Sequence, residues 1–346
     1  MTTTTRWSRI RRFGKTLVRA VLVLLVVGAI LGSAFEYRAR RHVHLAYPPR
    51  GQLVDIGGRR LHLDCRGEGS PTVILESGLD TAGSLSWDRV HDPIAKITRT
   101  CAYDRAGVMW SDAKSGAQDA DAVADDLHAM LNAAGITGPL VLVCHSLGGP
   151  YLMDYTRRYG DNVKGLVFVD CSHADQMERL TKFPQADDVP FAYRAMNALA
   201  FTGIARLLPP STPEHMADRD AQMAIAYLPE TMGGSLKEMR AIRATLREAG
   251  ELRDLGDRPL VVLTAMKPYP APLLASIGLS PEDGLAMQQE WEKLGVDEAS
   301  WSRHSRHESI ADSQHYIQLQ RPDRVIVAVQ EVVNAVRGGG AAMGTH

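Results

Sequence analysis

The chain has 346 residues, of which 45% are hydrophobic and 23% are charged, and its formal net charge is −1. This length permits one large catalytic domain with an accessory segment. The composition is that of an ordinary globular protein, and the near-zero net charge excludes binding of nucleic acid or of an acidic partner through bulk charge.

The N-terminal segment is predicted to be a membrane anchor. The run from Thr16 to Phe35 has Arg19 as its only charge, and about 20 apolar residues span a bilayer. More basic residues precede the run than follow it: Arg6, Arg9, Arg11, Arg12 and Lys15 against Arg38, Arg40 and Arg41. This asymmetry predicts a single-pass protein with a cytoplasmic N-terminus and a periplasmic or extracellular domain. The alternative is a signal peptide cleaved near Gly32-Ser33-Ala34, after which the domain is secreted.

Beyond this segment, short apolar runs alternate with longer stretches of helical spacing. The predicted strands are Leu53–Ile56, Arg60–Cys65, Thr72–Glu76, Thr98–Tyr103, Leu140–Cys144, Val163–Asp170, Leu260–Thr264 and Arg303–Ile310. The predicted helices are Trp87–Lys96, Asp119–Ala134, Leu147–Tyr159 and a last one from Pro322 to about Val336. This alternation favours a mostly parallel sheet with crossover helices, an α/β fold.

The stretch from Ala174 to Gly256 contains no predicted strand. We expect helical fragments at Phe191–Leu208 and Ser235–Ala249, with breaks at Pro209-Pro210 and Gly233-Gly234. A structureless loop of this length is uncommon, so the stretch predicts a helical cap inserted after the sixth strand. Its apolar side chains are expected either to line an acyl pocket or to pack inside the cap: Phe191, Met196, Leu199, Phe201 and Leu207.

The predicted organisation has seven parts along the chain. They are a basic cytoplasmic N-terminus (1–15), a transmembrane signal-anchor (16–36), a linker (37–52), the first part of the α/β core (53–173), the helical cap (174–256), the second part of the core (257–337) and a flexible tail (338–346).

The segment Leu140–Gly149 carries the strongest chemical signal. A buried strand is followed by Cys-His-Ser-Leu-Gly, and a helix begins at once. This is the strand–turn–helix context of a nucleophile elbow, usually G-x-S-x-G, with Cys144 in the first glycine position. The turn would expose the hydroxyl of Ser146, and the backbone N–H of Leu147 would point at a substrate oxygen from the helix N-terminus.

With this elbow, the sequence resembles the α/β-hydrolase superfamily, and more narrowly bacterial membrane-anchored hydrolases of the lipase and esterase type. The resemblance runs from about Leu53 to Val336. Besides the elbow, it rests on Leu75-Glu-Ser-Gly-Leu79, Ala102-Tyr-Asp-Arg-Ala-Gly107 and Gln314-His-Tyr-Ile-Gln318. It implies an eight-stranded sheet with ligands bound at the carboxyl ends of the strands.

The resemblance also implies where the rest of the site lies. The second oxyanion donor would come from the loop after the third strand, and we assign it to the backbone N–H of Leu79. The family more often has His-Gly where this chain has Ser77-Gly78-Leu79. The catalytic histidine follows the last strand, where His315 lies in a polar loop. The Asp104-Arg105 turn resembles one that is structural in the superfamily.

The acid of the triad is missing from its usual place. Superfamily members usually carry it shortly after the strand that here ends at Thr264, but no carboxylate follows until Glu282. Some relatives, notably among haloalkane dehalogenases, supply it from the end of the sixth strand, where this chain has Asp170. An aspartate closing an apolar strand needs a partner, so Asp170 is the expected acid and Asp175 the alternative. Asp170 could also simply cap the strand.

The four cysteines form no C-x-x-C and no metal-like cluster, so no structural zinc is expected. In the superfamily's strand order the second and fourth strands are neighbours, which implies a disulfide between Cys65 and Cys101 in an oxidising compartment. Cys144 and Cys171 end adjacent strands and would be either a second bridge or two buried thiols.

The leading hypothesis is hydrolysis of carboxylic esters by a Ser146–His315–Asp170 triad through an acyl-enzyme. Dehalogenase and epoxide-hydrolase chemistry is disfavoured because those relatives carry Asp at the elbow. The open alternatives on the same triad are amidase, peptidase, thioesterase, acyltransferase and cofactor-free perhydrolase. A catalytically silent binding protein is the alternative from another class. The expected partners are a small-molecule ester or acyl substrate and a lipid bilayer, with no nucleic acid, cofactor or metal; the oligomeric state is not predicted.

Overall fold

A computed structural model describes residues 3–181, 189–207 and 215–338. One eight-stranded sheet has the spatial order β1-β2-β4-β3-β5-β6-β7-β8. The strands are β1 (Gln52–Asp55), β2 (Arg60–Arg66), β3 (Thr72–Glu76), β4 (Thr100–Tyr103), β5 (Leu140–His145), β6 (Val163–Val169), β7 (Leu260–Ala265) and β8 (Ser305–Ile310). The pairs β1–β2 and β2–β4 are antiparallel and all others are parallel. The predicted mostly parallel sheet is confirmed.

Helices cover both faces of this sheet. They are α1 (Thr3–Ala46), α2 (Asp88–Ala95), α3 (Ala120–Ala133), α4 (Gly148–Tyr159), α5 (Gln176–Arg179), α6 (Phe191–Leu199), α7 (Asp218–Ala249), α8 (Ala271–Ser276), α9 (Pro281–Ser300), α10 (Ile317–Gln320) and α11 (Pro322–Arg337). Short 3-10 turns lie at Gly83–Trp87, Gly160–Asn162, Ala200–Thr202 and Ile204–Leu207.

Alternate residues of the buried strands enter opposite layers of the core. Leu142 of β5 packs in the layer that holds Leu127 of α3 and Leu152 of α4. Its neighbour Val143 packs in the other layer, with Val329 of α11. This alternation follows from the two-residue period of a strand. The central strands are therefore apolar throughout, and polar side chains occur where these strands end.

The cap prediction is confirmed in outline, because α5, α6 and α7 lie between β6 and β7. The expected break at Gly233-Gly234 is wrong, since α7 runs through both glycines without interruption. The reason is tertiary. A Cβ on Gly234 would lie 2.5 Å from the carbonyl oxygen of Gly107, so the missing side chain allows close contact with the loop after β4. The expected break at Pro209-Pro210 lies outside the described residues.

The predicted helix Phe191–Leu208 is shorter in the structure. Helix α6 ends at Leu199, and 3-10 turns continue to Leu207. Residue Gly203 between these turns has φ 78, a left-handed conformation that ends a regular helix.

The N-terminal helix is longer than predicted. Helix α1 is continuous to Ala46, so residues 37–46, expected in a linker, are helical. Its part Arg11–Ala46 is long and apolar enough to cross a membrane, and its apolar window is not buried in the protein.

Helices α8 and α9, between β7 and β8, were not predicted. Helix α9 starts with a reciprocal cap in which Ser280 Oγ accepts from the Asp283 N–H, a known helix-start signal. This helix carries two residues of the site described below.

Candidate active site

Ser146 lies in the tight turn between β5 and α4. Its φ is 52, which is uncommon for a residue with a side chain. The turn is fixed because the Ser146 carbonyl accepts from the N–H groups of Gly149 at 3.0 Å and Ser172 at 2.9 Å. A Cβ on Gly148 would lie 2.8 Å from the Glu76 carbonyl oxygen, so only glycine allows the helix this close to β3. Leu147 is buried immediately before α4, where the first backbone N–H groups lack helical partners.

His315 and Asp170 are in direct contact. His315 Nδ1 donates to Asp170 Oδ2 at 2.6 Å. Asp170 follows the last residue of β6, is buried and has φ 48. Its other oxygen, Oδ1, accepts from the Ala265 N–H and from Trp291 Nε1, each at 2.9 Å. Both carboxylate oxygens are therefore partnered, as a buried acid requires.

The neighbouring His145 joins the His315 loop to the elbow. The buried His145 ring donates from Nε2 to the backbone carbonyl of His315 at 2.9 Å, and the two ring centroids are 4.5 Å apart. Burial, with a smaller effect from the nearby His315, holds the pKa of His145 well below its usual value, so this ring is neutral. In the part of the chain that the structure describes, Ser146 Oγ and the His315 ring are not joined by a hydrogen bond.

The loop after β3 lies against the elbow. A Cβ on Gly78 would lie 2.8 Å from the Cβ of Ser146. The adjoining Leu79 is half-buried and packs in the small apolar cluster that contains Leu147 and Leu246. The backbone segment around Leu79 and the backbone at Leu147 thus belong to one packed unit next to Ser146.

A buried arginine fixes this loop. Arg105 donates to the carbonyl oxygens of Ser77 at 2.7 Å and Gly78 at 2.8 Å. It also forms ion pairs with Glu76 of β3 and with Glu238 of α7, the latter through two nitrogens. Burial lowers the pKa of Arg105, but its two carboxylates outweigh this and raise that pKa well above the usual value. The Asp104-Arg105 turn therefore connects the core and the cap.

Asp175, the alternative acid, lies elsewhere. Both of its oxygens accept from Arg253, at 2.7 and 2.5 Å. The hydrogen bond from Arg253 holds the pKa of Asp175 below its usual value. The structure brings Asp170, and not Asp175, to His315.

The four cysteines form two pairs. Cys65 of β2 and Cys101 of β4 are joined by a disulfide. Cys144 and Cys171 are buried free thiols with their sulfur atoms 3.1 Å apart. Within the described ranges, no group of three or more His, Cys, Asp or Glu side chains could hold a metal ion.

Two residues of α9 near Asp170 were missed in the sequence. Trp291 donates to Asp170 as described above, and Glu298 is buried. Burial, followed by the negative charges of Asp170 and Asp297, raises the pKa of Glu298 well above its usual value. The capping residues Ser280 and Asp283 could have indicated the helix, but nothing in the sequence places it beside Asp170.

Of the cap residues expected to line an acyl pocket or to pack inside the cap, one packs there and one lines a cavity. Met196 is half-buried against a small cluster within the cap. The other four side chains are exposed to solvent: Phe191, Leu199, Phe201 and Leu207. A cavity of about 510 Å³ lies between α1, the cap and the loop after β4. Phe201 lines it, whereas the candidate catalytic and oxyanion residues do not.

Comparisons with known proteins bear on the family and the fold of the chain. The model of the alpha/beta hydrolase family matches residues 23–329. An uncharacterized protein of Schizosaccharomyces pombe is 37% identical over 162 residues, which cover 38% of this chain and 30% of that protein. The chain thus matches less than a third of the length of that relative.

Two solved structures share the fold. A thermophilic esterase from Thermogutta terrifontis is 22% identical with a TM-score of 0.53, and the match covers 82% of this chain and 97% of that one. An epoxide hydrolase from Bacillus megaterium is 17% identical with a TM-score of 0.60, and the match covers 82% of this chain and 100% of that one. These two activities differ, so the likeness shows the fold alone. From the match over residues 23–329, the chain belongs to the alpha/beta hydrolase family.

Proposed function

We propose that this hydrolase cleaves carboxylic esters through an acyl-enzyme, with Ser146 as nucleophile, His315 as general base and Asp170 as the acid. The observation that carries the proposal is the 2.6 Å hydrogen bond from His315 to the buried Asp170, beside a serine in a strained turn. Strain of this kind at a strand–helix turn is typical of functional positions.

In the first half-reaction, His315 Nε2 takes the proton of Ser146 Oγ as this oxygen attacks the carbonyl carbon of the ester. The tetrahedral intermediate collapses, the bond to the alcohol oxygen breaks, and His315 returns the proton to that oxygen. A water molecule then attacks the acyl-enzyme in the same way, releasing the carboxylic acid and restoring Ser146. Asp170 orients His315 and stabilises its imidazolium, while the Ala265 N–H and Trp291 Nε1 donate to its other oxygen.

We assign the oxyanion hole to the backbone N–H groups of Leu79 and Leu147. The contact between Gly78 and Ser146 and the position of Leu147 before α4 support this assignment. Two such donors stabilise the negative oxygen of the tetrahedral intermediate, and removing one donor typically costs about 3 kcal/mol of transition-state stabilisation.

We further propose that α1 is a signal-anchor, with the N-terminus in the cytoplasm and the hydrolase domain in the periplasm or outside the cell. The exposed apolar surface of Arg11–Ala46 and the excess of basic residues before its apolar run support this orientation. We also propose the predicted division of the chain, in which the signal-anchor comprises residues 16–36 and the cap comprises residues 174–256.

The test is turnover of p-nitrophenyl acetate and butyrate by the full chain in detergent. Ser146→Ala and His315→Ala should lower kcat by several orders of magnitude, and Asp170→Asn should lower it by about 10⁴-fold. Asp175→Asn is the matched control and should retain activity, since Asp175 pairs with Arg253. Activity that survives in Asp170→Asn and is lost in Asp175→Asn would overturn the assignment of the acid.

A further inference from the structure

The membrane helix and the cap meet at the end of the apolar run. A Cβ on Gly32 would lie 2.6 Å from the carbonyl oxygen of Thr202, so the helix and the 3-10 turn are in backbone contact. The Phe35 ring lies against Gly203 in the same way. Glu36 is buried and accepts from Arg206 at 2.7 and 3.0 Å. These contacts fix the height of the cap relative to α1.

The same contacts place the cap at the boundary of the bilayer. The run Thr16–Phe35 is about 30 Å long as a helix, which equals the thickness of the hydrocarbon core. Glu36, the first carboxylate after the run, marks its end. Gly32 lies about 4.5 Å inside that end, and Thr202 contacts it there. The 3-10 turn Ala200–Thr202 is therefore level with the outer part of the acyl chains.

Four exposed apolar side chains lie on α6 and on the 3-10 turns that follow it. Phe191 is 77% exposed, Leu199 45%, Phe201 52% and Leu207 74%. Isolated apolar residues on a protein surface are ordinary, but several together mark an interaction surface. On α1, Tyr37 is exposed two residues beyond the run, with Arg41 over its ring at 6.0 Å. A tyrosine and arginines at this level are typical of the headgroup region.

We propose that this face of the cap, defined by Phe191, Leu199, Phe201 and Leu207, inserts into the leaflet next to the hydrolase domain. Interfacial segments bury their apolar face by about 5–10 Å, which agrees with the depth at Gly32. The lipid bilayer is the occupant that the geometry favours, because α1 holds the face at this height. This inference rests on the proposal that α1 spans the membrane.

The inserted cap also reaches the candidate active site. Helix α7 of the same cap packs Ile242 and Leu246 against Leu79 and Leu147. An ester dissolved in the leaflet would thus meet the cap before it meets Ser146. The substrate class is therefore esters with long acyl chains that partition into the bilayer.

The first experiment measures depth and does not depend on enzyme activity. The full chain, carrying Phe201→Cys or Phe191→Cys labelled with an environment-sensitive fluorophore, is reconstituted in phosphatidylcholine vesicles that contain a nitroxide-labelled lipid. Leu24→Cys in α1 is the positive control. Val327→Cys is the matched control, since Val327 is 49% exposed on α11 in the catalytic core. The unsubstituted chain gives the background from its buried thiols Cys144 and Cys171.

We expect strong quenching at positions 201 and 191, and none above background at 327. Quenching at 24 but not at 201 or 191 would overturn the proposal and indicate that another copy or another segment of the chain covers the face. The absence of quenching at position 24 would overturn both the proposal that α1 spans the membrane and the proposal that the cap inserts into the leaflet. Quenching at 201 in a chain without ester turnover would support the docking while the proposed activity fails.

The second experiment tests the substrate class. Phe201→Glu combined with Leu207→Glu should lower hydrolysis of a vesicle-bound oleoyl ester by about tenfold, because two apolar anchors leave the leaflet. Hydrolysis of p-nitrophenyl acetate should not change, and Val327→Glu should affect neither substrate. An equal loss with both substrates would contradict substrate uptake from the bilayer.

Discussion

At the scale of single residues, the environment of Asp170 determines what its carboxylate can do. Three donors reach it: His315 Nδ1, the Ala265 N–H and Trp291 Nε1. Three hydrogen bonds of this kind hold a buried carboxylate in one orientation. The acid can therefore come from the end of β6, although the usual position after β7 has none.

Trp291 is a positioning residue in this account. Trp291→Phe removes one donor from Asp170 and keeps most of the ring volume, so we expect kcat to fall by about tenfold with KM unchanged. Trp301→Phe, at a buried ring packed near Phe168, is the control and should leave both kcat and KM in place. An unchanged kcat in Trp291→Phe, or an equal fall in kcat in Trp301→Phe, would contradict the role.

Glu298 gives a prediction about stability and pH. Because burial raises its pKa in the folded state, the native protein keeps a proton that the unfolded chain loses above about pH 5. The free energy of unfolding should therefore fall by up to about 1.4 kcal/mol per pH unit as pH rises, until the native carboxyl ionises. Glu298→Gln removes this contribution. Urea unfolding of the wild-type protein and of Glu298→Gln between about pH 5 and pH 8 measures this contribution. An equal pH dependence of the two free energies of unfolding would contradict the prediction.

The sequence indicated Ser146, His315 and Asp170 because each lies where a recognisable element ends or begins. It could not indicate Trp291 or Glu298, since nothing in their local pattern marks a contact with β6. Those contacts depend on how α9 packs beside β7, which local periodicity does not encode.

At the scale of elements, the two glycines of α7 differ in what surrounds them. A Cβ on Gly233 would meet Asn197 at an ordinary 3.7 Å, whereas one on Gly234 would lie 2.5 Å from the Gly107 backbone. Gly233→Ala should raise the free energy of unfolding by up to about 1 kcal/mol through helix propensity. Gly234→Ala should lower it by about 1–3 kcal/mol through steric overlap. Denaturant unfolding compares the two, and equal effects would contradict the proposed close contact.

Arg105 connects three elements: β3, the loop after it, and α7. Arg105→Lys loses the planar fork that binds Glu238 through two nitrogens. We therefore expect the free energy of unfolding to fall by at least about 3 kcal/mol. Arg60→Lys is the control at an exposed pair with Asp112 and should change stability by less than about 1 kcal/mol. Thermal unfolding followed by circular dichroism measures both, and similar shifts would show that the buried network is dispensable.

The strands and the position of the cap were predictable, but the course of the helices inside the cap was not. The strands other than β8 have an apolar run or an alternation, and the structure places all eight within a few residues of their predicted bounds. In the cap, Gly233-Gly234 was read as a break because local propensity disfavours helix there. Contact with Gly107 outweighs this propensity, as tertiary context often does.

At the scale of the whole molecule, the chain combines a hydrolase domain, a cap and a long N-terminal helix. The sequence indicated each part from its composition and from the alternation of strands and helices. It did not indicate that the cap packs on α1 or that Phe191 and Phe201 face outward, because a list of apolar residues does not state which surface they occupy. A bilayer beside the cap would account for their exposure.

The measurement that tests the central claim most directly is intact-protein mass spectrometry of the full chain after treatment with a fluorophosphonate. This reagent forms a stable bond only with a serine activated by a base. We predict one adduct per chain, located on Ser146, absent from Ser146→Ala and formed much more slowly by His315→Ala. A wild-type chain that takes no adduct, or an adduct that persists in Ser146→Ala, would contradict the assignment of Ser146 as the nucleophile of a serine hydrolase.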